Sequence, residues 1–133
     1  ELEVYEAGML ESGLRYLKQG ILKEPLHFQF VLGVPGGMSG DPRNLNHLVA
    51  LLPSPNMHWG VAGVGRFQLP LAEQALKMGG HIRVGFEDNI FFNKGELATS
   101  NAQLVERVAQ IARDMGREVA TTEVARKMLK LKN

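Results

Sequence analysis

The sequence predicts an α/β fold in which four parallel strands alternate with helices. Short apolar segments and amphipathic segments alternate four times, with roughly 25–30 residues between strands, which is the spacing of βα units. A closed (β/α)8 barrel needs about 250 residues, whereas this chain has 133. Four βα units with a terminal helix therefore correspond to the C-terminal half of a (β/α)8 TIM barrel, and an open doubly wound sheet is the alternative.

The elements are placed by apolar patterns and by residues that begin or end helices. We predict strands over 2–7, 26–33, 57–63 and 81–86, and helices over 11–19, 42–52, 70–78, 101–115 and 122–130. Asp41 followed by proline begins the second helix. Ser100 caps the fourth, and Gly116 closes it. No linker or low-complexity segment divides the chain, so residues 1–133 are expected to form one half-barrel domain.

Composition excludes several classes of function. Hydrophobic residues make up 44% of the chain and charged residues 22%, as in ordinary globular domains. The net charge of +1 gives no electrostatic reason to expect nucleic acid or a membrane surface as a partner. The absence of cysteine excludes disulfides and thiolate chemistry from this chain. No apolar run approaches the length of a membrane span, and the cytoplasm is the expected location.

The predicted fourth strand carries a notable pair of charges. Side chains alternate between the faces of a strand, so Arg83 and Glu87 would lie on one face and an apolar set on the other. That apolar set is Ile82, Val84 and Phe86. Buried charges are costly unless each has a partner. Either Arg83 and Glu87 form an ion pair that fills space, or Glu87 binds a metal or substrate with Asp88 beside it as an acid/base.

The other strand ends offer weaker signals. Glu1 and Glu3 share one face of the first strand and are candidates to point inward. A glycine-rich loop, 34–40, follows the second strand and leads into a capped helix, an arrangement that suits either a tight turn or an anion. The third strand, 59–65, ends in small residues. Three histidines begin strands and one lies within a helix, so we interpret all four as structural.

Several segments of the chain closely resemble the β-keto acid cleavage enzymes, whose founding activity is 3-keto-5-aminohexanoate cleavage. The segments are 27–33, 59–65, 79–89, 97–105 and 116–121. The run GGHIRVGFEDN at 79–89 is the most specific of them, although Phe86 stands where many members carry leucine. The resemblance covers essentially the whole chain and the C-terminal half of the family.

The resemblance implies a zinc-dependent barrel that converts a β-keto acid and acetyl-CoA into acetoacetate and a new acyl-CoA. Zinc is bound in this family by a His-x-His pair and by the glutamate of the Glu-Asp-Asn turn. By that match Glu87 is the metal ligand, Asp88 the catalytic acid/base and Arg83 its ion-pair partner. Either Glu1 or Glu3 corresponds to the acidic residue that contacts substrate.

The chain departs from the family in one respect, since no His-x-His occurs in it. We therefore expect the other zinc ligands and the N-terminal half of the barrel outside this chain, and we expect the chain alone to be inactive. The resemblance also implies a homo-oligomer. Two other functions stay open: another metal-dependent barrel aldolase, and a non-catalytic half-barrel that serves assembly.

Overall fold

The computed structural model describes residues 1–131 and contains a parallel sheet of four strands. The strands, in spatial as well as chain order, are β1 (Leu2–Val4), β2 (His27–Leu32), β3 (His58–Gly63) and β4 (His81–Arg83). The helices are α1 (Ala7–Lys18), α2 (Pro42–Ala50), α3 (Gln68–Met78), α4 (Asn101–Asp114) and α5 (Thr122–Met128). The predicted α/β fold with parallel strands is confirmed. The predicted domain also includes residues 132 and 133, which lie outside the described residues.

The hydrophobic core lies between one face of the sheet and helices α1, α2 and α3. Phe28, Phe30 and Leu32 alternate along β2 and are fully buried in this core. Helix residues pack on them from the other side, among them Leu10, Leu45, Leu48 and Leu71. The strand alternation predicted from sequence therefore places apolar residues against the helices, and it leaves the opposite face of the sheet for other residues.

The helix ends follow their sequence signals. Asp41 accepts a hydrogen bond from the Arg43 amide at the start of α2, and Ser100 accepts one from the Gln103 amide at the start of α4. At the end of α4, Gly116 has φ of 73° and the Arg117 amide donates to the carbonyl of Ala112. This pair of features is a Schellman ending, which glycine favours.

Three boundaries differ from the prediction by more than two residues. The first strand ends at Val4 rather than near residue 7, because Glu6 caps α1 and the helix begins at Ala7 rather than near residue 11. Strand β4 ends at Arg83 rather than residue 86, because the Gly85 carbonyl accepts hydrogen bonds from the amides of Asp88 and Asn89 and so closes a turn.

An antiparallel hairpin, β5 (Phe91–Asn93) and β6 (Glu96–Leu97), follows this turn and was not predicted. It lies between β4 and α4 in the chain. None of the helices within residues 1–131 is long and apolar enough to cross a membrane.

Candidate functional site

The carboxyl end of β4 positions an arginine against a buried carboxylate. Arg83 is the last residue of the strand, and its Nε and Nη2 donate to the two Asp88 carboxylate oxygens at 3.2 and 3.0 Å. The Asp88 side chain is only 6% exposed and that of Arg83 is 32% exposed. The bond to Asp88, followed by Glu3, raises the pKa of Arg83. Two parallel hydrogen bonds fix both the position and the orientation of the carboxylate.

Arg83 also connects the two outer strands of the sheet. Its Nη1 donates to Glu3 Oε1 on β1 at 2.6 Å, and the Tyr5 hydroxyl donates to the other Glu3 oxygen at 3.0 Å. The hydrogen bond to Glu3 raises the pKa of Tyr5, and the charge of nearby Glu87 acts in the same direction. The Arg83 guanidinium therefore brings together two carboxylates. Glu3 is 80 residues from Arg83 in sequence, and Asp88 is five residues from it.

This contact crosses the whole sheet. Three strand spacings separate β1 from β4, about 14 Å in a flat sheet, so the Arg83 and Glu3 side chains meet across the two intervening strands. Ala62 of β3 lies directly beside Arg83. Because Ala62 and Gly60 have a small side chain or none, they leave room on this face for the Arg83 side chain. A β-carbon at Gly60 would stand 3.0 Å from the Gln29 side-chain oxygen. The small residues noted in the third strand thus have a local packing role.

The turn that presents Asp88 is held from several sides. The Gly65 amide donates to the Asp88 carbonyl at 2.6 Å, which ties this turn to the end of β3. Gln68 donates to the Gly85 carbonyl, and the Asn101 side chain accepts from the Phe86 amide at 2.8 Å. The acid is therefore positioned by backbone contacts as well as by Arg83.

Glu87 lies in this turn and not on the strand, so the predicted sharing of a strand face by Arg83 and Glu87 is wrong. The strand has already ended, and Arg83 pairs with Asp88 and Glu3 instead of with Glu87. The alternative prediction, an Arg83–Glu87 ion pair that fills space, is therefore also wrong. Glu87 is exposed and makes no ion pair within residues 1–131. Within the same residues no group of three histidine, aspartate or glutamate side chains could hold a metal ion.

Glu1 and Glu3 lie in different surroundings. Glu3 belongs to the cluster with Arg83, whereas Glu1 lies at the amino end of the sheet, where its carboxylate is 3.9 Å from His27 Nε2. Rings of His27 and His58 lie 5.9 and 6.3 Å from the ring of His81. Burial lowers the pKa of both His27 and His81. The three strand-initial histidines thus form a group at the end of the sheet opposite Asp88.

The glycine-rich loop after β2 is folded onto its own surroundings. The Met38 amide donates to the Tyr5 carbonyl at 2.8 Å, and the Gly33 amide donates to the Met38 carbonyl at 2.9 Å. A β-carbon at Gly37 would stand 3.1 Å from the Tyr5 carbonyl oxygen, while at Gly36, which has φ of 90°, the space is open. Packing and backbone conformation therefore account for most glycines of this loop.

The feature missed in the sequence is a cavity of about 760 Å³ beside the hairpin. It lies between β5–β6, the start of α3 and the first half of α4. The turn Asn93-Lys94-Gly95 between two short segments was the available signal, since glycine after two polar residues is typical of hairpin loops. Gly95 has φ of 81°, as such a loop requires.

Comparison with known proteins gives relatives over the whole chain. A family model described as beta-keto acid cleavage enzyme matches residues 1–131. A "3-keto-5-aminohexanoate cleavage enzyme" of Fusobacterium nucleatum subsp. nucleatum is 50% identical over 99% of this chain and 47% of its own length. One with the same name from Acetoanaerobium sticklandii is 45% identical over 97% of this chain and 47% of its length.

A third relative carries a different name. The "3-oxoadipate:acetyl-CoA acetyltransferase" of Cupriavidus necator is 39% identical over 98% of this chain and 47% of its own length. The chain thus spans about half the length of these curated relatives. Because the family model covers nearly every residue, including the Arg83–Asp88 turn, the chain belongs to the beta-keto acid cleavage enzyme family.

Proposed function

We propose that this chain is the C-terminal half of a (β/α)8 barrel, forming a single domain with a missing N-terminal half. The enzyme so formed would convert a β-keto acid and acetyl-CoA into acetoacetate and a new acyl-CoA. The observation that carries the proposal is the Arg83 side chain, which bonds both Asp88 and Glu3 at the carboxyl ends of parallel strands. Barrel enzymes gather their catalytic groups at that face. The named activities of the relatives support the reaction class.

The unpaired edges of the sheet support the proposal that a second half-barrel completes it. Strands β1 and β4 each pair on one side only among the described strands, and unpaired edges favour the addition of further strands. A homo-oligomer and a cytoplasmic location complete the proposal and stand on the resemblance alone.

Zinc fits this site only as an ion shared with ligands from outside the chain. Glu87 offers an exposed carboxylate that makes no ion pair within residues 1–131, and no group of three ligating side chains occurs in that part of the chain. Carboxylate and imidazole are ordinary zinc ligands, so Glu87 would complete a site that a His-x-His pair begins. Bound zinc would polarise the keto group of the substrate as a Lewis acid.

The residues of this chain have distinct parts in the chemistry. Asp88 would remove a proton from the substrate carbon between the keto group and the carboxylate. Arg83 holds that carboxylate by both oxygens and so fixes the direction in which it accepts the proton. Glu3, held by Arg83 and Tyr5, would contact the substrate near its keto side. Glu1 lies at the other end of the sheet, so Glu3 is the acid we assign to substrate binding.

The reaction balances without any further reactant. The carbanion left by proton removal attacks the acetyl carbonyl; a C–C bond forms, the C–S bond breaks and CoA thiolate leaves. The thiolate then adds to the original keto carbon, and the older C–C bond breaks to give the new acyl-CoA. The carbon released in that step takes back the proton from Asp88, which yields acetoacetate.

The first substrate to test is 3-keto-5-aminohexanoate, because two relatives at 50% and 45% identity carry that name. The intact protein should produce acetoacetate from this acid and acetyl-CoA, and it should contain about one zinc per chain. A mass near twice that of the 133-residue chain would match the two-half barrel. If the protein has the size of this chain alone and shows neither zinc nor turnover, the enzyme hypothesis fails and the non-catalytic assembly role is favoured. Turnover of an aldol substrate without acetyl-CoA would favour the aldolase.

Two variants of the intact protein separate the roles of the neighbouring acids. Glu87→Gln should lower zinc content, whereas Asp88→Asn should retain zinc and depress turnover by about 100-fold or more, as loss of a general base does. Zinc is measured by elemental analysis and turnover by acetoacetate release. Normal zinc in Glu87→Gln would remove this residue from the metal site, and full activity in Asp88→Asn would end its acid/base role.

A further inference from the structure

The cavity beside the hairpin combines apolar walls with unpaired positive charge. Its volume, about 760 Å³, lies within the usual range for small-molecule sites. Leu69, Leu104 and Val108 supply apolar wall, and the ring of Phe91 is 45% exposed at its edge. An exposed aromatic ring in such a wall offers a stacking surface for a flat heterocycle.

Among the described residues, two cations at this cavity have no carboxylate partner. Arg66 and Lys94 line it, both are exposed, and neither forms an ion pair within residues 1–131. The guanidinium of Arg66 lies 4.9 Å from the centre of the Phe67 ring. Two free cations next to an apolar cleft suit a ligand that has both phosphates and an apolar ring.

A third cation, Arg107, is fixed by the hairpin itself. It donates to the Phe92 carbonyl, lies 4.5 Å from the centre of the Phe92 ring and contacts the Asn93 side chain at 3.4 Å. These contacts anchor β5 on α4 and so shape the cavity. The one carboxylate of the hairpin, Glu96, accepts a hydrogen bond from the Asn93 side chain at 2.6 Å and does not line the cavity.

The cavity adjoins the candidate catalytic site. Gly65, Asn89 and Phe91 line it, and the same three residues line the smaller cleft that contains Glu87 and Asp88. A ligand whose phosphates lie at Arg66 could therefore extend a flexible arm past Asn89 to the acids of the turn.

We infer that this cavity binds the phosphorylated adenosine end of acetyl-CoA. The phosphates lie at Arg66 and Lys94, the adenine stacks near Phe91, and the pantetheine arm carries the thioester to Asp88. The inference rests on the proposed function for the identity of the nucleotide, since acetyl-CoA is part of the name of three relatives of this chain. It adds a binding site on residues that the reaction chemistry does not use.

The kinetic test uses the intact protein with the double substitution Arg66→Gln and Lys94→Gln. The KM for acetyl-CoA should rise about ten- to a hundredfold, as the loss of two charge-assisted contacts would produce, and kcat should stay close to the wild-type value. With acetyl-N-acetylcysteamine, a thioester that lacks the nucleotide, kcat/KM should be equal in the two proteins. An unchanged KM for acetyl-CoA, or an equal loss with both thioesters, would overturn the inference.

A matched control removes one charge elsewhere. Lys18 is exposed in the last turn of α1, a helix that does not line the cavity. Lys18→Gln should keep the wild-type KM for acetyl-CoA; a rise like that of the double variant would mean that general charge loss is the cause, and would count against the cavity. Because all three residues are exposed, thermal unfolding should be unaffected.

A binding measurement separates this inference from the proposed reaction. Adenosine 3′,5′-bisphosphate is titrated calorimetrically into the wild type and the double variant, which requires no turnover. Weaker binding by the variant supports the cavity even if no β-keto acid is cleaved. Equal binding, or no binding by a wild type that does turn over acetyl-CoA, refutes the cavity and leaves the reaction in place.

Discussion

Replacing Arg83 by methionine keeps much of the side-chain length and removes every hydrogen bond that this residue makes to a carboxylate. Asp88 would lose two bonds at a site where its side chain is only 6% exposed. A hydrogen bond to a charged group contributes about 1.5–3 kcal/mol, and the 32% exposure of Arg83 admits water that replaces part of it. We expect a loss of about 2–3 kcal/mol from Asp88. Glu3, at 43% exposure, adds less than about 1 kcal/mol.

The assay is equilibrium unfolding of the intact protein in urea, supported by thermal midpoints that should fall by several degrees. Glu3→Gln is the comparison variant, since it removes only the more exposed half of the cluster, and it should cost less than about 1 kcal/mol. Arg83→Lys keeps the charge but cannot make two parallel bonds to one carboxylate, so its stability should lie between those of the wild type and Arg83→Met.

A double-mutant cycle tests the source of the effect. If the Asp88 contact dominates, Arg83→Met should cost far less in a background that already carries Asp88→Asn. The reasoning fails if Arg83→Met is as stable as the wild type, or if Glu3→Gln costs as much as Arg83→Met. Either result would mean that Asp88 does not depend on the arginine in the intact protein.

Other positions give independent predictions. Gly80→Ala should destabilise the intact protein by about 1–3 kcal/mol in urea unfolding, since the new β-carbon would stand 2.3 Å from the buried ring of Trp59; wild-type stability would contradict this packing. Arg117→Met should lower the thermal midpoint, because Arg117 donates to the Gly80 carbonyl at 2.8 Å, and an unchanged midpoint would mean that this bond contributes little. Burial lowers the pKa of His27 and His81 in the folded state, so the unfolded chain binds more protons near pH 6 and stability should fall as the pH drops below about 6.5. Midpoints measured from pH 8 to pH 5 test this, and a flat profile would refute it.

The parallel strands could be read from sequence because their apolar faces are local. Strands β2 and β3 begin and end within one residue of the prediction, since alternating buried residues and flanking breakers determine both. The end of β4 could not be read in this way. Val84 and Phe86 continue the apolar alternation, but Gln68 and Asn101, distant in sequence, hydrogen bond to the backbone there and a turn forms.

The candidate site shows the same division. Arg83 and Asp88 lie five residues apart, so their proximity could be predicted from the local sequence. The bond from Arg83 to Glu3 could not be, because it depends on the order of four strands across 80 residues of chain. The roles of Glu87 as metal ligand and Asp88 as acid/base stay predictions.

Phe67, through its side chain at Gly33 and Gly40 and its backbone at Gly63, constrains how this face of the protein can diverge. A β-carbon at Gly33, Gly40 or Gly63 would stand 2.1–2.7 Å from an atom of Phe67. A single aromatic residue therefore locks the ends of β2 and β3 to each other, and any side chain added at one of the three glycines must displace it. Evolution of a new substrate preference at the ends of β2 and β3 would consequently have little freedom. The hairpin after β4 carries no such constraint, so altered specificity can arise in it without rebuilding the sheet.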